Sequence, residues 1–510
     1  MAQVKEAVPP CPESTADLRR QLHQLVDQIA DWCEQCDSRL FSMEKRLLDE
    51  VRALGRLFLA LFLLVRQQRL HDRQQKYPGC WRYPDLVPRT LRTSFGKVRY
   101  QRDYWVRRWG QGGFHPLDEE LGLTRDGFSP VVISLACRLS SYLSYAKTTL
   151  ILRAFWGWSP STETVEQWVL GVGQQAAAYM ASSPPLAQPE GEVLVIEVDG
   201  KAVPTATDEE LSKRRGPRRH DPTCTCGCQR HRGQSKREAR GSKKRRKRGD
   251  KSKNGRSATL VAIYTLKMGP DGRLHGPVNK RIWGSFASRK AMLAWIRAEA
   301  TRRGFGPKSA GLVQIVVDGE KCLAKRLRKL FPKAVVTLDI RHVEERLWTA
   351  GRAFYAEGSA ELAGWVNELR DVLYQSGRKL VARLRQLREG IACRGPGTKR
   401  KRAALDSLLG YLEPRRNMMH YGKWIQQDLV IATGVIEGAV RYVIGERMDC
   451  GGMRWIRGKA EAILQLRCIE VNGLWDHFFD WCLDRWAEKL RCHETVQIRT
   501  DKPLKLEEAA

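Results

Sequence analysis

The first part of the chain shows the hydrophobic spacing of helices, followed by one alternating segment. Residues 14 to 75 contain few Gly or Pro and carry apolar side chains at helical spacing, as at Leu18, Leu22 and Leu25, which predicts long helices. These helices would serve either in dimerisation or DNA docking, or as a subdomain packed on the core. The segment 90-TLRTSFGKVRYQRDYWV-106 predicts a β-hairpin whose basic polar side would face either a DNA backbone or solvent.

Residues 142 to 179 predict a helix, a short turn and a second helix. The first helix should stop at Gly157, and Ser159 is placed to cap the second, which begins with Pro160. This pattern is compatible with a DNA-reading helix-turn-helix. The second helix contains Glu163 and almost no Lys or Arg, so simple packing is the alternative.

From residue 193 to 348, apolar runs typical of strands alternate with helical periods. Strands are predicted at 193–199, 258–266, 276–286, 312–318 and 334–340, and helices at 288–304, 320–331 and 342–354. Three strands before the first crossover helix, followed by parallel strand–helix units, predict an α/β sheet of mixed type. The chain is then predicted to be helical to about residue 430, with a further helix at 435–448.

Two of the predicted strands end in Asp-Gly, at 193-VLVIEVDG-200 and 313-VQIVVDG-319. An Asp at the end of a buried strand places a carboxylate at the sheet edge, and the Gly lets a ligand or backbone approach closely. With Glu437 on the predicted helix downstream, Asp199 and Asp318 would bind a hard cation such as Mg²⁺, which prefers oxygen ligands. Either Asp-Gly taken alone would also be an ordinary turn.

The net charge of the chain predicts the kind of partner that it binds. The 510 residues include 89 Lys plus Arg against 57 Asp plus Glu, a formal net charge of +32 with a pI near 9.9. Because neutralising phosphates releases counterions, this excess predicts a nucleic acid partner. The N-terminus lacks the features of a secretory signal, and the longest apolar run, residues 57–65, is too short to span a bilayer. We therefore expect a soluble intracellular protein, cytoplasmic or associated with the nucleoid.

An insertion rich in Cys, Lys and Arg separates the first two predicted strands. The stretch 220-HDPTCTCGCQRH-231 offers Cys224, Cys226, Cys228 and His231 as ligands for Zn²⁺, with free or redox-active thiols as the alternative. A dense basic run follows, which is either a phosphate-binding arm or a solvated tail. The DNA-binding residues predicted in this run are Lys243, Lys244, Arg245, Arg246, Lys247 and Arg248.

Several blocks of the chain carry a family resemblance. They are 197-EVDGK-201, 254-NGRSATLVAIYTL-266, 316-VVDGE-320, 338-LDIRHVEERLW-348, 433-TGVIEGAVRYVIGERMDCGGMRWIRGKAEAILQLR-467 and 472-NGLWDHFF-479. In these blocks the chain resembles the DDE transposases, and most closely those of ISKra-type insertion sequences, relatives of the Mutator-like group. The resemblance runs from about residue 90 to residue 480. It implies a ribonuclease H-like catalytic core with a helical insertion, and a mainly helical N-terminal DNA-binding region.

The resemblance also implies an activity and its residues. Asp199, Asp318 and Glu437 would form a catalytic triad holding two Mg²⁺ or Mn²⁺ ions, and the protein would bind terminal inverted repeats, cleave DNA strands and transfer them. Asp339 and His342 would form an Asp-x-x-His element that orients the site or contacts DNA, with a role in the strand-to-helix turn as the alternative. Because two DNA ends must be brought together, we expect a homodimer or larger assembly. The alternatives are a domesticated DNA-binding protein without transposition and a structure-selective metal-dependent nuclease.

Other residues near the triad are weaker or open candidates. Glu197, Glu320 and Glu446 should be turned away from the metal site by strand alternation or by a different helix face. Arg454 and Trp455 follow a Gly pair and are predicted to contact phosphate and stack on a base, with burial of Trp455 in the core as the alternative.

The predicted domain boundaries follow these features. They are a helical N-terminal region (1–76), a hairpin and helix-turn-helix-like DNA-binding region (77–190), the first part of the catalytic core (191–355) with its basic Cys/His insertion (205–256), a helical insertion (356–430), the final core helices (431–485) and a C-terminal tail (486–510).

Overall fold

The protein is a mixed α/β molecule with many helices. The computed structural model describes residues 10–12, 14–73, 77–107, 112–182, 188–206, 255–307, 309–450 and 453–490. The chain divides into two compact units, Met1–Ala176 with Leu474–Ala510, and Ala177–Gly473. Within the described ranges, no helix combines the length and the apolar character that crossing a bilayer requires.

The helices and strands are numbered in chain order. The helices are α1 (Thr15–Gln35), α2 (Leu40–Asp72), α3 (Pro116–Glu120), α4 (Pro130–Tyr142), α5 (Tyr145–Trp156), α6 (Thr162–Ala181), α7 (Arg289–Arg302), α8 (Lys321–Leu330), α9 (Ile340–Gly351), α10 (Ala360–Gln375), α11 (Gly377–Glu389), α12 (Thr398–Leu412), α13 (Tyr421–Gln426), α14 (Gly434–Ala439), α15 (Glu446–Met448), α16 (Arg457–Val471) and α17 (Trp475–Leu490). The strands are β1 (Cys80–Arg82), β2 (Val87–Thr93), β3 (Gly96–Arg102), β4 (Trp105–Arg107), β5 (Gly113–Phe114), β6 (Val193–Ala206), β7 (Gly255–Met268), β8 (Leu274–Ser285), β9 (Leu312–Val317), β10 (Val335–Leu338) and β11 (Trp455–Ile456). A 3₁₀ turn spans Glu413–Met418, and a π-helical turn spans Val440–Gly445.

In the first unit, the predicted hairpin is present as β2 and β3. The two strands pair antiparallel, and the turn is closed by Thr93 opposite Gly96, with the Thr93 hydroxyl donating to the Gly96 carbonyl at 2.9 Å. Alternation sends Leu91 and Val98 inward, where they are buried in one cluster with Leu18 of α1. The hairpin is thus the surface against which the N-terminal helices bury their apolar sides.

Part of the basic side of the hairpin is buried in an ion cluster. Asp118 of α3 pairs with Arg89 at 2.7 Å and also with Arg102, and it accepts a hydrogen bond from the Tyr100 hydroxyl at 2.9 Å. Burial lowers the pKa of Arg102 to about 10. These two arginines therefore neutralise Asp118 and are not presented to a DNA backbone.

The helix pair α5–α6 agrees with the prediction at its first boundary but not at its second. α5 stops at Gly157, which has a left-handed φ of 75°. α6 begins at Thr162, and Ser161 caps it through its hydroxyl. The predicted cap, Ser159, was wrong because its hydroxyl accepts a hydrogen bond from Arg153 at 3.2 Å instead.

The second unit is built on one mixed sheet. β6, β7 and β8 form an antiparallel meander, while β9 and β10 run parallel to β6. The spatial order is β10-β9-β6-β7-β8, and β11 adds a short parallel pairing to β6. α7 and α8 connect the strands in the crossover segments, as the sequence pattern predicts.

The two faces of this sheet are covered by different helices. Val193 and Val195 of β6 belong to a core cluster with α9 to α13, whereas Leu194, Ile196 and Val198 belong to a cluster with α7 and α8. This separation follows from strand alternation, since successive side chains point to opposite faces. Both faces of β6 are buried, which explains its continuous apolar run.

Two predicted boundaries differ from the structure. β6 does not stop at Asp199 but continues to Ala206, because its antiparallel partner β7 keeps pairing with it while β9 ends at Val317. The helix predicted at 435–448 is divided into α14, the π turn and α15. π turns inside helices often occur at functional sites.

We predict that Asp118→Ala lowers the free energy of unfolding by about 3–5 kcal/mol, because it leaves two largely buried guanidinium groups without their carboxylate. Urea unfolding of the full chain measures the change. Asp85→Ala is the matched control, since Asp85 is exposed and should change stability by less than about 0.5 kcal/mol. Equal stability of the two variants would contradict the assignment of Asp118 as the centre of the cluster.

Candidate metal centre

Two carboxylates lie side by side where β6 and β9 stop pairing. The parallel register runs to Val198 opposite Val317, so Asp199 and Asp318 are the next residues on adjacent strands. Adjacent strands are about 4.8 Å apart, and both side chains line the same small cleft of about 140 Å³. The structure therefore brings together the two aspartates that the Asp-Gly pattern singles out.

The electrostatics of this pair favour a bound cation. Burial raises the pKa of Asp199, while the hydrogen bond from the Gly200 N–H at 2.6 Å opposes that shift. The negative charge of Asp318 raises it further, His342 lowers it, and Glu437 also raises it. A cation between these carboxylates would relieve their mutual repulsion.

Glu437 lies next to Asp339 and His342, the two residues of the Asp-x-x-His element. The ligand atoms of Asp339, His342 and Glu437 all lie within 4.8 Å of one another. Asp339 is fully buried and caps α9, accepting a hydrogen bond from the Arg341 N–H at 2.9 Å. Two carboxylates and one imidazole form a donor set for a divalent ion: carboxylates suit Mg²⁺ and Mn²⁺, and the imidazole suits transition metals.

Thr433 joins the two acids of this group. Its hydroxyl contacts Oδ2 of Asp339 and lies 3.1 Å from Oε1 of Glu437. A hydroxyl has one proton to donate, so the two carboxylates share this single donor, which lies between them. Sequence reasoning missed Thr433, although its place four residues before Glu437 at the start of a helix is a local signal for such a contact.

A further buried carboxyl group, that of Glu197, lies next to the helix turn that carries Glu437. It is two residues before Asp199 on β6 and therefore shares its face, so the prediction that strand alternation turns it away was wrong. It is fully buried and accepts hydrogen bonds from the Tyr264 hydroxyl at 2.6 Å and from the Ile436 N–H at 2.8 Å. Glu197 thus links the central strand to the first turn of α14, which carries Glu437.

Burial raises the pKa of Glu197 to about 7. The hydrogen bonds from Tyr264 and Ile436 lower it, and the charges of Asp339 and Glu437 raise it. Near neutral pH this carboxyl is therefore divided between its protonated and ionised forms.

The loop after Asp318 is held by the helical insertion. The Tyr411 hydroxyl donates to the Asp318 carbonyl at 2.9 Å, and Nε of Arg415 donates to the Gly319 carbonyl at 2.9 Å. Gly319 has a φ of +98°, and a Cβ there would lie 2.5 Å from the Tyr411 hydroxyl oxygen. Arg346 lies over the Tyr411 ring with its guanidinium carbon 3.6 Å from the centroid. Gly at this position is therefore required both by the backbone conformation and by the close approach of Tyr411.

The remaining candidate residues from the sequence are not part of this group of acids. Arg454 is exposed, whereas Trp455 is buried, with its indole N–H donating to the Met448 carbonyl at 3.1 Å and Arg447 over its ring. Glu446 has a side chain that is 59% exposed. The predicted zinc ligands and the basic arm lie outside the described residues and stay predictions; they are Cys224, Cys226, Cys228, His231, Lys243, Lys244, Arg245, Arg246, Lys247 and Arg248.

Comparisons with known proteins give a partial family match and distant structural matches. Residues 38–215 match the uncharacterised protein family UPF0236. This range includes Asp199 but ends before Asp318 and Glu437. A comparison with curated proteins finds no match. Among solved structures, the Drosophila P element transposase strand transfer complex is similar at 14% identity with a TM-score of 0.28, over 68% of this chain and 93% of that chain.

We predict that Gly319→Ala destabilises the protein by about 3 kcal/mol or more, because left-handed strain adds to a clash with Tyr411. Thermal unfolding measures stability, and a Mn²⁺ titration should show weaker binding because the displaced loop carries Asp318. Gly272→Ala is the control, since Gly272 has a φ of +72° but nothing within 4 Å of an added Cβ. Its cost should be about 1–2 kcal/mol, and an equal effect of both changes would contradict the close approach of Tyr411.

We predict a specific pH dependence from Glu197 in the metal-free protein. In the folded state the pKa of Glu197 is about 7, whereas the ordinary pKa of a glutamate is 4.5. Between these values the unfolded state binds fewer protons, so stability falls as pH rises through that window, by at most about 3 kcal/mol.

Glu197→Gln should remove this fall, as measured by urea unfolding in chelator from pH 4.5 to 7. Exposed Glu361→Gln should leave the wild-type pH profile unchanged. A Glu197→Gln profile parallel to that of the wild type would show that Glu197 does not titrate in this range.

Proposed function

We propose that this chain is a divalent-metal-dependent enzyme that cuts and joins DNA strands, a transposase of the DDE type. The observation that carries the proposal is the convergence of acids from distant parts of the chain at one end of the sheet. Asp199 and Asp318 follow the last pair of the β6–β9 register, and Glu437 shares a group of ligand atoms with Asp339, which directly follows β10. The excess of basic residues in the chain supports DNA as the substrate. Joining two DNA ends would require two or more copies of the chain.

The strand order supports a ribonuclease H-like core. Three antiparallel strands are followed by two strands parallel to the first, in the order β10-β9-β6-β7-β8, and α10 to α13 form a helical insertion before the helix that carries Glu437. The sequence blocks at 338–348 and 433–467 support the finer assignment to ISKra-type transposases by resemblance. Both arguments are independent of the distant structural match.

The donor set fits the ions that this function requires. Asp199, Asp318 and Glu437 would hold two Mg²⁺ or Mn²⁺ ions, which supply activation of an attacking oxygen and neutralisation of charge at the scissile phosphate. Asp339 and His342 stand beside Glu437 and are available as additional ligands or as groups that orient it.

The protein residues around these acids fix their positions before DNA binds. Backbone N–H groups of Gly200 and Glu320 hold Asp199 and Asp318, the latter at 3.0 Å, and the Thr433 hydroxyl holds Glu437. Phosphodiester attack needs alignment and charge neutralisation more than covalent chemistry. Carboxylates held on a rigid sheet edge meet that need.

We predict that Asp199→Asn, Asp318→Asn and Glu437→Gln each reduce Mg²⁺-dependent cleavage and joining of labelled element ends by about a hundredfold or more. The assay uses purified full chain, labelled ends and a target plasmid, and it separates joined products from hydrolysed ones. Binding of the same DNA in chelator should change by less than about threefold, because these acids do not bind DNA without metal.

Glu446→Gln is the control and should keep wild-type activity, since its side chain is largely exposed. Joined products support a transposase, whereas hydrolysis without joining supports the structure-selective nuclease. Full activity in any of the three acid variants would remove that residue from the site.

A further inference from the structure

The outer face of α7 and α8 is strongly basic. α8 contains five basic residues and no acidic residue in its ten positions. The only acid of α7, Glu299, is buried and paired with Arg302 and Arg303. Seven basic side chains on these helices and just after α8 are exposed, and they are Lys290, Arg297, Lys325, Arg326, Arg328, Lys329 and Lys333.

These seven side chains differ from arginines on helix α11 of the same unit. In the described part of the chain none of them forms an ion pair, whereas on α11 Arg383 pairs with Glu368 at 2.8 Å and Arg388 pairs with Asp406 at 2.6 Å. A cluster of like charges without counter-charges is repulsive in the free protein. A bound polyanion would supply the missing charge.

A shallow groove runs between the two helices. Its lining includes Ala294, Arg297 and Ala298 of α7 and Leu330 at the end of α8. The groove therefore offers room for a sugar–phosphate backbone, with the exposed Arg297 beside it. It lies on the face of the sheet opposite the helical insertion, since α7 and α8 share a core cluster with Ile196.

The basic face begins at the metal centre. The cleft that contains Asp199 and Asp318 is also lined by Arg289 and Met292 from the start of α7 and by Leu323 from the start of α8. From there the helices extend about 15 to 20 Å at 1.5 Å per residue. At about 3.4 Å per base pair, this is the length of roughly five base pairs.

We propose that the outer face of α7 and α8 binds the phosphate backbone of duplex DNA and carries it into the cleft. The proposal rests on the proposed function for the chemistry at the cleft, and it adds a surface that the candidate DNA-binding residues of the sequence do not include. Duplex DNA fits because it presents about one charge per 1.7 Å of its axis, a density that matches a row of closely spaced Lys and Arg side chains.

The test compares two variants of the full chain that each lose four positive charges. The first carries Lys325→Gln, Arg326→Gln, Arg328→Gln and Lys329→Gln on α8. The control carries Lys379→Gln, Arg383→Gln, Arg385→Gln and Arg388→Gln on α11. A short labelled duplex is titrated in chelator at several salt concentrations, so that binding is measured without cleavage. Thermal unfolding of the first variant should match that of the wild type, because its changed side chains are exposed and form no ion pair in the described part of the chain. The control loses three surface ion pairs, each worth less than about 1 kcal/mol.

We expect the α8 variant to bind at least about tenfold more weakly at physiological salt, with the slope of log affinity against log salt reduced by about 3 to 4. In the control variant, the loss of affinity and the reduction of the salt slope should each be less than half of those in the α8 variant. Equal losses in both variants would show only an effect of net charge, and an unchanged slope in the α8 variant would exclude the surface; either result overturns the proposal.

Cleavage assays separate this proposal from the proposed function. If wild-type protein cleaves no DNA but the α8 variant still loses affinity, the surface stands and the enzymatic proposal fails. If Mg²⁺-dependent cleavage is present and the two variants bind alike, the surface fails alone.

Discussion

The parallel pairing of β6 with β9 is the constraint on which the site depends. Because side chains alternate along a strand, a slip of one residue would turn one of the two aspartates to the opposite face. The pairing is secured by apolar side chains on both faces, and it ends at Val198 and Val317. The position of the candidate metal centre is therefore determined by packing of the core.

The surroundings of the acids separate negative from positive charge. In the described part of the chain, Asp199, Asp318 and Glu437 have no ion pair with Lys or Arg; their partners are backbone N–H groups and the Thr433 hydroxyl. Neutral donors orient a carboxylate without cancelling its charge. The charge of these acids thus stays available to a cation. Arg289 also lines the cleft but pairs with Glu320, and the seven unpaired basic side chains lie on the outer face of α7 and α8 and just after α8.

The sequence predicts the elements that depend on local pattern. The hairpin, the mixed sheet, the end of α5 at Gly157 and the two adjacent aspartates all follow from periodicity and turn residues. Contacts between distant segments leave no such local signal. Tyr411 and Arg415 of the helical insertion hydrogen-bond to the loop at Gly319. Arg102 of the hairpin forms an ion pair with Asp118 of α3. Glu197 is a different case, because its spacing of two residues from Asp199 itself indicates a shared face, and the prediction that it is turned away was wrong.

The hydrogen bonds that complete the centre also bear on how the protein folds. The Tyr411 bond to Asp318 spans 93 residues, and the Glu197 bond to Ile436 spans 239 residues. Contacts of such sequence separation carry a large loop-closure entropy and form late. During synthesis, both aspartates are added to the chain more than a hundred residues before Glu437. A ribosome-bound chain therefore lacks the complete set of proposed metal ligands until most of the protein has been made.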